Sequence, residues 1–321
     1  MEKLKLSIVI LVILLISSTI IFYSFNDGKK ININYSHREN IFNLMRRNNS
    51  ESEESCMSLS EDFVLSDEYY ELLDKLTNYS GIYSIIYKEL DDDLTVIEYE
   101  ESYEFYGESI IKLAYAIYIY DYLKDNQEEL NTKLEYDSSF YKTGSGVLRY
   151  MNLTNESFTI NELLYYVIED SDNIAYFMLL DYFGIEGVKE YWNNLGTNLT
   201  YEGWDYFGIL DARDAIVYLD RLYEIIESND VYYDNLISSS KDASKNSILQ
   251  ETLNEDMYFK YGGANYCYHE IAIVDDDHPY MIVVLSDLST TDRFALFPEV
   301  AQVVQELHEM YWEEKNEYCM A

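Results

Sequence analysis

The sequence predicts an α+β domain in which strands from both ends of the folded region form one antiparallel sheet. Helices cover both faces of that sheet, and a helical insertion separates its two groups of strands. Three observations lead there. Strand-like segments fall only near the start and the end of the region beyond residue 66. The long middle carries helix spacing and helix caps. The chain has 321 residues, of which 48% are hydrophobic, enough to bury one large core.

Ahead of that region, Leu6 to Phe25 contains no charge and is long enough to cross a bilayer as one helix. Lys3 and Lys5 precede it, and no small-x-small cleavage site follows. Residues 1–5 are therefore expected in the cytoplasm and residues 6–25 as an uncleaved transmembrane anchor. Lys29, Lys30, Arg38, Arg46 and Arg47 follow it, but large domains translocate regardless of such flanking charges. Residues 26–66 are polar and without periodicity, as in Asn48 to Ser55, and are expected as a linker.

The folded domain, residues 67–321, opens with a helix over about 67–78. Ile82 to Lys88 and Leu94 to Tyr99 are rich in Ile, Val and Tyr, and the acidic turn Asp91-Asp92-Asp93 separates them, which predicts a hairpin. From Ser109 to Leu123 the chain is apolar nearly all round, the pattern of a buried central helix. Thr159 and Glu162 form a capping box ahead of LLYYVIE. Ser171-Asp172-Asn173 opens the next helix, and Gly184 closes it. Further helices are expected over about 186–193, 211–226 and 245–254. The strands Tyr258–Tyr261, Glu270–Val274 and Tyr280–Ser286 return the chain to the sheet, and a last helix spans about 298–314.

A formal net charge of −38 excludes nucleic acid and an anionic membrane surface as partners, since both need basic patches. Cys56, Cys267 and Cys319 are too few and too scattered for a disulfide framework or a zinc site. His37, His269, His278 and His308 show no metal-ligand spacing, so no metal and no cofactor is expected.

A serine hydroxyl becomes a nucleophile when a base takes its proton. Ser109 and Lys112, at i and i+3, share one face of the apolar helix. Burial lowers the pKa of a lysine far enough for it to act as that base. A second Ser-x-x-Lys, Ser238 to Lys241, lies in a polar context and is expected as loop. Ser171 and Asn173, at i and i+2 on a helix-entry turn, can both point into a cleft. Lys142-Thr143-Gly144 sits in a loop with Gly146. Lys260-Tyr261-Gly262-Gly263 sits on a predicted strand, where a lysine gives a fixed charge and glycines permit close approach.

Ser-x-x-Lys, then Ser-Asp-Asn, then Lys-x-Gly, in this order, resembles the signature of class A β-lactamases and penicillin-binding proteins. The likeness extends to GSGVLRY (144–150), to the stretch 159–184, to DARDAIVYLDRLY (211–223) and to the C-terminal strands. The resemblance implies a β-lactamase/transpeptidase-like fold. It also implies a serine hydrolase acting on β-lactams or on the D-Ala-D-Ala stem peptides of the cell wall. Ser109 would form the acyl-enzyme, Lys112 accept its proton, and Ser171 relay a proton to the leaving nitrogen. Asn173 would order the substrate amide. Lys260, with Tyr261 and Gly262, would bind the substrate, and the N–H groups of Ser109 and Gly263 would form the oxyanion hole.

The chain departs from the family pattern twice. Tyr261 stands where the family has Ser or Thr. The Glu-x-x-Leu-Asn motif, whose glutamate activates the deacylating water, is absent, and Glu202 is the nearest carboxylate. Slow turnover, as in a penicillin-binding protein, is the implied consequence. A reading from another class is a catalytically silent sensor or scaffold that binds cell-wall fragments or protein partners. The expected location is the cell membrane, single-pass, with the domain outside.

Overall fold

The structure, a computed structural model, describes Phe63 and residues 66–77, 79–201, 206–264 and 267–319. The predicted anchor and nearly all of the predicted linker lie outside the described residues, as does Glu202. Among the described residues, no helix is long and apolar enough to cross a membrane.

Helix α1 (Asp67–Lys75) is started by Ser66, whose hydroxyl accepts from Tyr69 N. The hairpin β1 (Ile82–Glu89) and β2 (Leu94–Tyr99) follows as predicted. A short strand, β3 (Phe105–Tyr106), leads through a tight turn into α2 (Ile111–Tyr122). Every residue of α2 from Ile111 to Tyr120 is buried, as expected for a helix apolar all round.

The insertion continues with the paired short strands β4 (Lys133–Glu135) and β5 (Ser157–Thr159). Helix α3 (Ile160–Glu169) carries the predicted capping box: Glu162 N donates to the Thr159 hydroxyl, and Thr159 N donates to the Glu162 carboxylate. Then come α4 (Asn173–Phe183), ended by Gly184, and α5 (Glu186–Asn194). The two-residue β6 (Ile209–Leu210) pairs with β3 and precedes α6 (Ala212–Glu227).

Three features differ from the sequence reading, the first being the short strand pairs β3–β6 and β4–β5, which fall outside the two expected groups of strands. Ser238 to Lys241 is not loop: it lies in a helix, α7 (Asp234–Ala243). The buried face of α7 combines Leu236 with the small residues Ser239, Ser240 and Ala243, a pattern that hydropathy alone does not reveal. Helix α8 (Ile248–Leu253) is the core of the segment expected over 245–254. The strands β7 (Met257–Gly263), β8 (Tyr268–Val274) and β9 (Tyr280–Asp287) complete the sheet. The last helix, α9 (Thr290–Cys319), begins eight residues before the expected start and carries Pro298 inside it.

The sheet runs β2-β1-β9-β8-β7, antiparallel throughout, so β1 from the start of the domain sits beside β9 from its end. Alternation along β1 serves the two faces. Lys88 pairs with Asp220 of α6 on one face. On the other, the buried Glu89 accepts from His308 and from Trp312 Nε1 of α9. Ile86, Ile271, Ile273, Met281, Val283 and Leu285 pack with α2 into the main core. This architecture leaves β7 as an edge strand beside the start of α2.

Candidate active site

Ser109 sits in the short helical turn Glu108–Ile110, and helical dihedrals continue through Ile110 and Ile111 into α2. Ser109 and Lys112 are thus one turn apart on continuous helical backbone. Ser109 is 8% exposed and Lys112 is fully buried.

The Lys112 ammonium is held by the Ser-Asp-Asn turn. Nζ donates to the Ser171 carbonyl oxygen at 2.5 Å, to the Asn173 side-chain oxygen at 2.7 Å, and to the Ser171 hydroxyl at 3.4 Å. Ser171 achieves this with a left-handed backbone, φ 52°, which is uncommon for a residue with a Cβ. Asp172, not Ser171, caps α4: its carboxylate accepts from Ile174 N and Ala175 N, and its other oxygen accepts from Leu148 N at 2.8 Å. The cap thus leaves Ser171 and Asn173 pointing at Lys112. The rings of Tyr176 and Phe207 lie 5.6 and 5.8 Å from Nζ. Removal from water pulls the Lys112 pKa from 10.5 down to about 7, against the opposing pull of the Asp172 and Glu108 charges.

Lys260 lies on edge strand β7, yet it is fully buried. Its pKa is driven well below the ordinary lysine value, first by burial and then by the charge of Lys112, with Asp170 opposing. The two lysines therefore share one buried site, and loss of one proton eases retention of the other. The Lys260 ammonium lies 4.8 Å from the Tyr261 ring. Tyr261 in turn stacks near Phe259, with ring centroids 6.2 Å apart and planes at 21°.

Glycine brings β7 against the nucleophile. A Cβ on Gly262 would stand 2.8 Å from Ser109 N, closer than side-chain carbons tolerate, so only glycine fits this approach. Gly263 and Ala264 line a cleft of about 330 Å³ together with Ser109, Asn173 and Phe207.

The sequence reading did not assign the wall of this cleft opposite β7. That wall is the glycine loop itself: Gly144 and Ser145 line it, and Asn173 ties it down through Nδ2 to the Thr143 carbonyl at 2.9 Å. Gly146 has φ 112°, and a Cβ there would meet the Asp172 carboxylate at 2.1 Å. Two glycines flanking a serine, Gly144-Ser145-Gly146, were the available signal. The structure thus joins Lys112 with Ser171 and Asn173, and sets Lys260, Gly262 and Gly263 beside the Ser109 turn. It leaves the second Ser-x-x-Lys elsewhere: Lys241 pairs with Asp275 at 2.8 Å, and the Ser238 hydroxyl donates to the Asn235 carbonyl.

The sequence matches, over residues 66–307, a family model described as the beta-lactamase enzyme family. Solved structures of similar fold include PBP-A, with a TM-score of 0.67 and 16% identity, covering 77% of this chain and 97% of that one. A β-lactamase from Sphaerobacter thermophilus gives a TM-score of 0.66 at 15% identity, covering 75% and 97%. One from Francisella tularensis gives 0.62 at 20%, covering 77% and 100%. A variant of PBP-A is known as an acyl-enzyme complex with penicillin G. No curated protein matches the sequence.

Proposed function

The chain belongs to the beta-lactamase enzyme family, and from that premise we propose that it is a serine hydrolase acylated at Ser109. Its substrates in this reading are β-lactams or D-Ala-D-Ala-type cell-wall peptides. The observation that carries the proposal is Lys112: fully buried, with a pKa brought to about 7, and joined to Ser171 and Asn173 one turn from a slightly exposed serine.

In this reading neutral Lys112 takes the Ser109 proton as Oγ attacks the carbonyl carbon. The carbonyl oxygen becomes an oxyanion held by the N–H groups of Ser109 and Gly263. The C–N bond then breaks, and Ser171 passes a proton to the leaving nitrogen, drawing on the positive charge shared by Lys112 and Lys260. The acyl-enzyme is cleared by water. Glu202 is the carboxylate proposed to activate that water. The apolar run 6–25 is proposed as the anchor that holds this domain on the outer side of a cell membrane.

A silent sensor or scaffold is the second reading, and Tyr261 favours it. A phenol reaches farther from the strand than a Ser or Thr hydroxyl would, and the Tyr261 hydroxyl hydrogen-bonds with Ser145 on the facing wall of the cleft. One experiment separates the readings. The full chain is incubated with a fluorescent penicillin, with a chromogenic cephalosporin, and with a D-Ala-D-Ala peptide. A stable label on Ser109 with D-Ala release supports the peptidase side, and rapid cephalosporin hydrolysis supports the lactamase side. Binding without label or turnover supports the scaffold and defeats the acyl-transfer proposal.

A further inference from the structure

Lys112, Ser171 and Lys260 are all fully buried, and none of the three lines the cleft. On their side the cleft ends at Ser145 of the glycine loop. Tyr261 of β7 meets Ser145 there, and the two hydroxyls share a hydrogen bond. Both ends of this bridge are braced. The Ser145 carbonyl accepts from Asn173 N at 3.2 Å, and the Thr143 carbonyl accepts from Asn173 Nδ2 at 2.9 Å. The Tyr261 ring has Phe259 and Tyr268 as neighbours, with centroids 6.2 and 6.4 Å away, and Tyr268 packs in turn on Phe297 of α9 at 5.3 Å. The order of residues along β7 locates the bridge. Gly262 lies against Ser109 N, Gly263 lines the cleft on one side of it, and Tyr261 follows on the other side, next to the buried Lys260. Asp170, the residue before Ser171, is close enough for its charge to act on both Lys260 and Tyr261. The bridge thus stands at the Ser171 end of the cleft.

We propose that Tyr261 is a specificity residue: bridged to Ser145, it closes the leaving-group end of the cleft, so that the site takes acyl donors with a small leaving group and discriminates against bulky ones, the second ring of a penicillin among them. The inference rests on the acyl-transfer reading. In that reading the carbonyl oxygen lies between Ser109 N and Gly263 N, and the leaving atom faces Ser171. Whatever the leaving atom carries is then directed at Tyr261 and Ser145. A short, unbranched group stays on the near side of the bridge. A branched or fused one needs the Tyr261 ring to swing away, which breaks the bond to Ser145 and parts the ring from Phe259 and Tyr268.

The test uses a pair of uncharged thioesters of N-benzoyl-D-alanine, made with ethanethiol and with tert-butanethiol. In each, the bond from Ser109 Oγ to the carbonyl carbon forms, the C–S bond breaks, and the serine proton ends on the departing thiol. Both donors leave the same acyl group on Ser109, so the adducts share one mass and one rate of hydrolysis. The growth of the adduct on the full chain, followed by quenched intact-mass spectrometry, therefore reports the leaving group. Each rate is divided by that of the same thioester with hydroxide, which removes the intrinsic difference between the donors. The wild type is expected to favour the ethyl donor by about tenfold or more, and Tyr261→Ala to erase most of that preference. Tyr261→Phe and Ser145→Ala, which remove the bond and keep the ring, are each expected to narrow it by about fivefold. The double variant is expected to narrow it no further than either alone, since both changes remove one bond. Taking ratios cancels any effect of a variant on activation of Ser109. A wild type that treats the two donors alike, or a preference that survives in Tyr261→Ala, overturns the proposal while leaving acyl transfer intact. Neither adduct nor hydrolysis with either thioester or with benzylpenicillin overturns the acyl-transfer reading, and this inference with it.

Discussion

Acylation should titrate with Lys112. A lysine with its ordinary pKa of 10.5 is neutral at pH 7 in about one molecule in three thousand. Burial that brings the pKa to about 7 makes half of the molecules neutral, a gain of about 1,500-fold, or about 4 kcal/mol. A base must be unprotonated to act, so the rate is full above the folded pKa and is lost as pH falls through about 7. Below that point it should drop about tenfold per pH unit. Stopped-flow labelling with a fluorescent penicillin from pH 5 to 9 measures this. Lys112→Met removes the base and should lower the rate on the order of 10²–10⁴-fold, with the midpoint near 7 gone from what remains. A variant that keeps both its rate and its midpoint would refute the reasoning, because the titrating group would then be another residue, with Lys260 the first to examine.

Other outcomes follow from the same contacts. Asp172→Ala removes the cap of α4 and the acceptor for the buried Leu148 N, and should cost about 2–4 kcal/mol in denaturant unfolding. Gly146→Ala places a Cβ 2.1 Å from the Asp172 carboxylate at φ 112° and should cost about 1–3 kcal/mol in the same assay. Ser238→Ala should leave labelling unchanged, whereas Ser109→Ala should abolish it. Burial raises the Glu270 carboxyl from 4.5 to about 7, against donation from Ile248 N, Leu249 N, Tyr268 and Ser247. Between those pH values the folded state holds a proton that the unfolded state has lost. The resulting stability is present below pH 4.5 and lost as pH rises through about 7. The difference between unfolding curves of wild type and Glu270→Gln should show this slope, on the order of 3 kcal/mol in total.

Much of the fold was legible because its signals are local. The Ile- and Tyr-rich runs around Asp91-Asp92-Asp93 gave the hairpin, and the uninterrupted apolar run after Ser109 gave the central helix. Helix α7 was missed because its buried face is built from serines and an alanine, which pack by being small and not by being apolar. The early start of α9 was missed because Pro298 reads as a first-turn residue, while tertiary packing carries the helix through it. At the site, the grouping of Lys112 with Ser171 and Asn173, and of the Lys260 strand with the Ser109 turn, was legible in order and spacing. The glycine-loop wall was not, since Gly144-Ser145-Gly146 marks a turn but nothing in it says that Asn173 ties that loop across the cleft.

The central claim is a covalent bond at Ser109, and intact-mass spectrometry tests it most directly. The full chain mixed with benzylpenicillin should gain the mass of one whole penicillin, since ring opening expels nothing, and proteolysis should place that mass on the peptide containing Ser109. The Ser109→Ala chain should gain none. An adduct on another residue, or neither adduct nor hydrolysed penicillin at pH 8, where Lys112 is mostly neutral, would contradict the account.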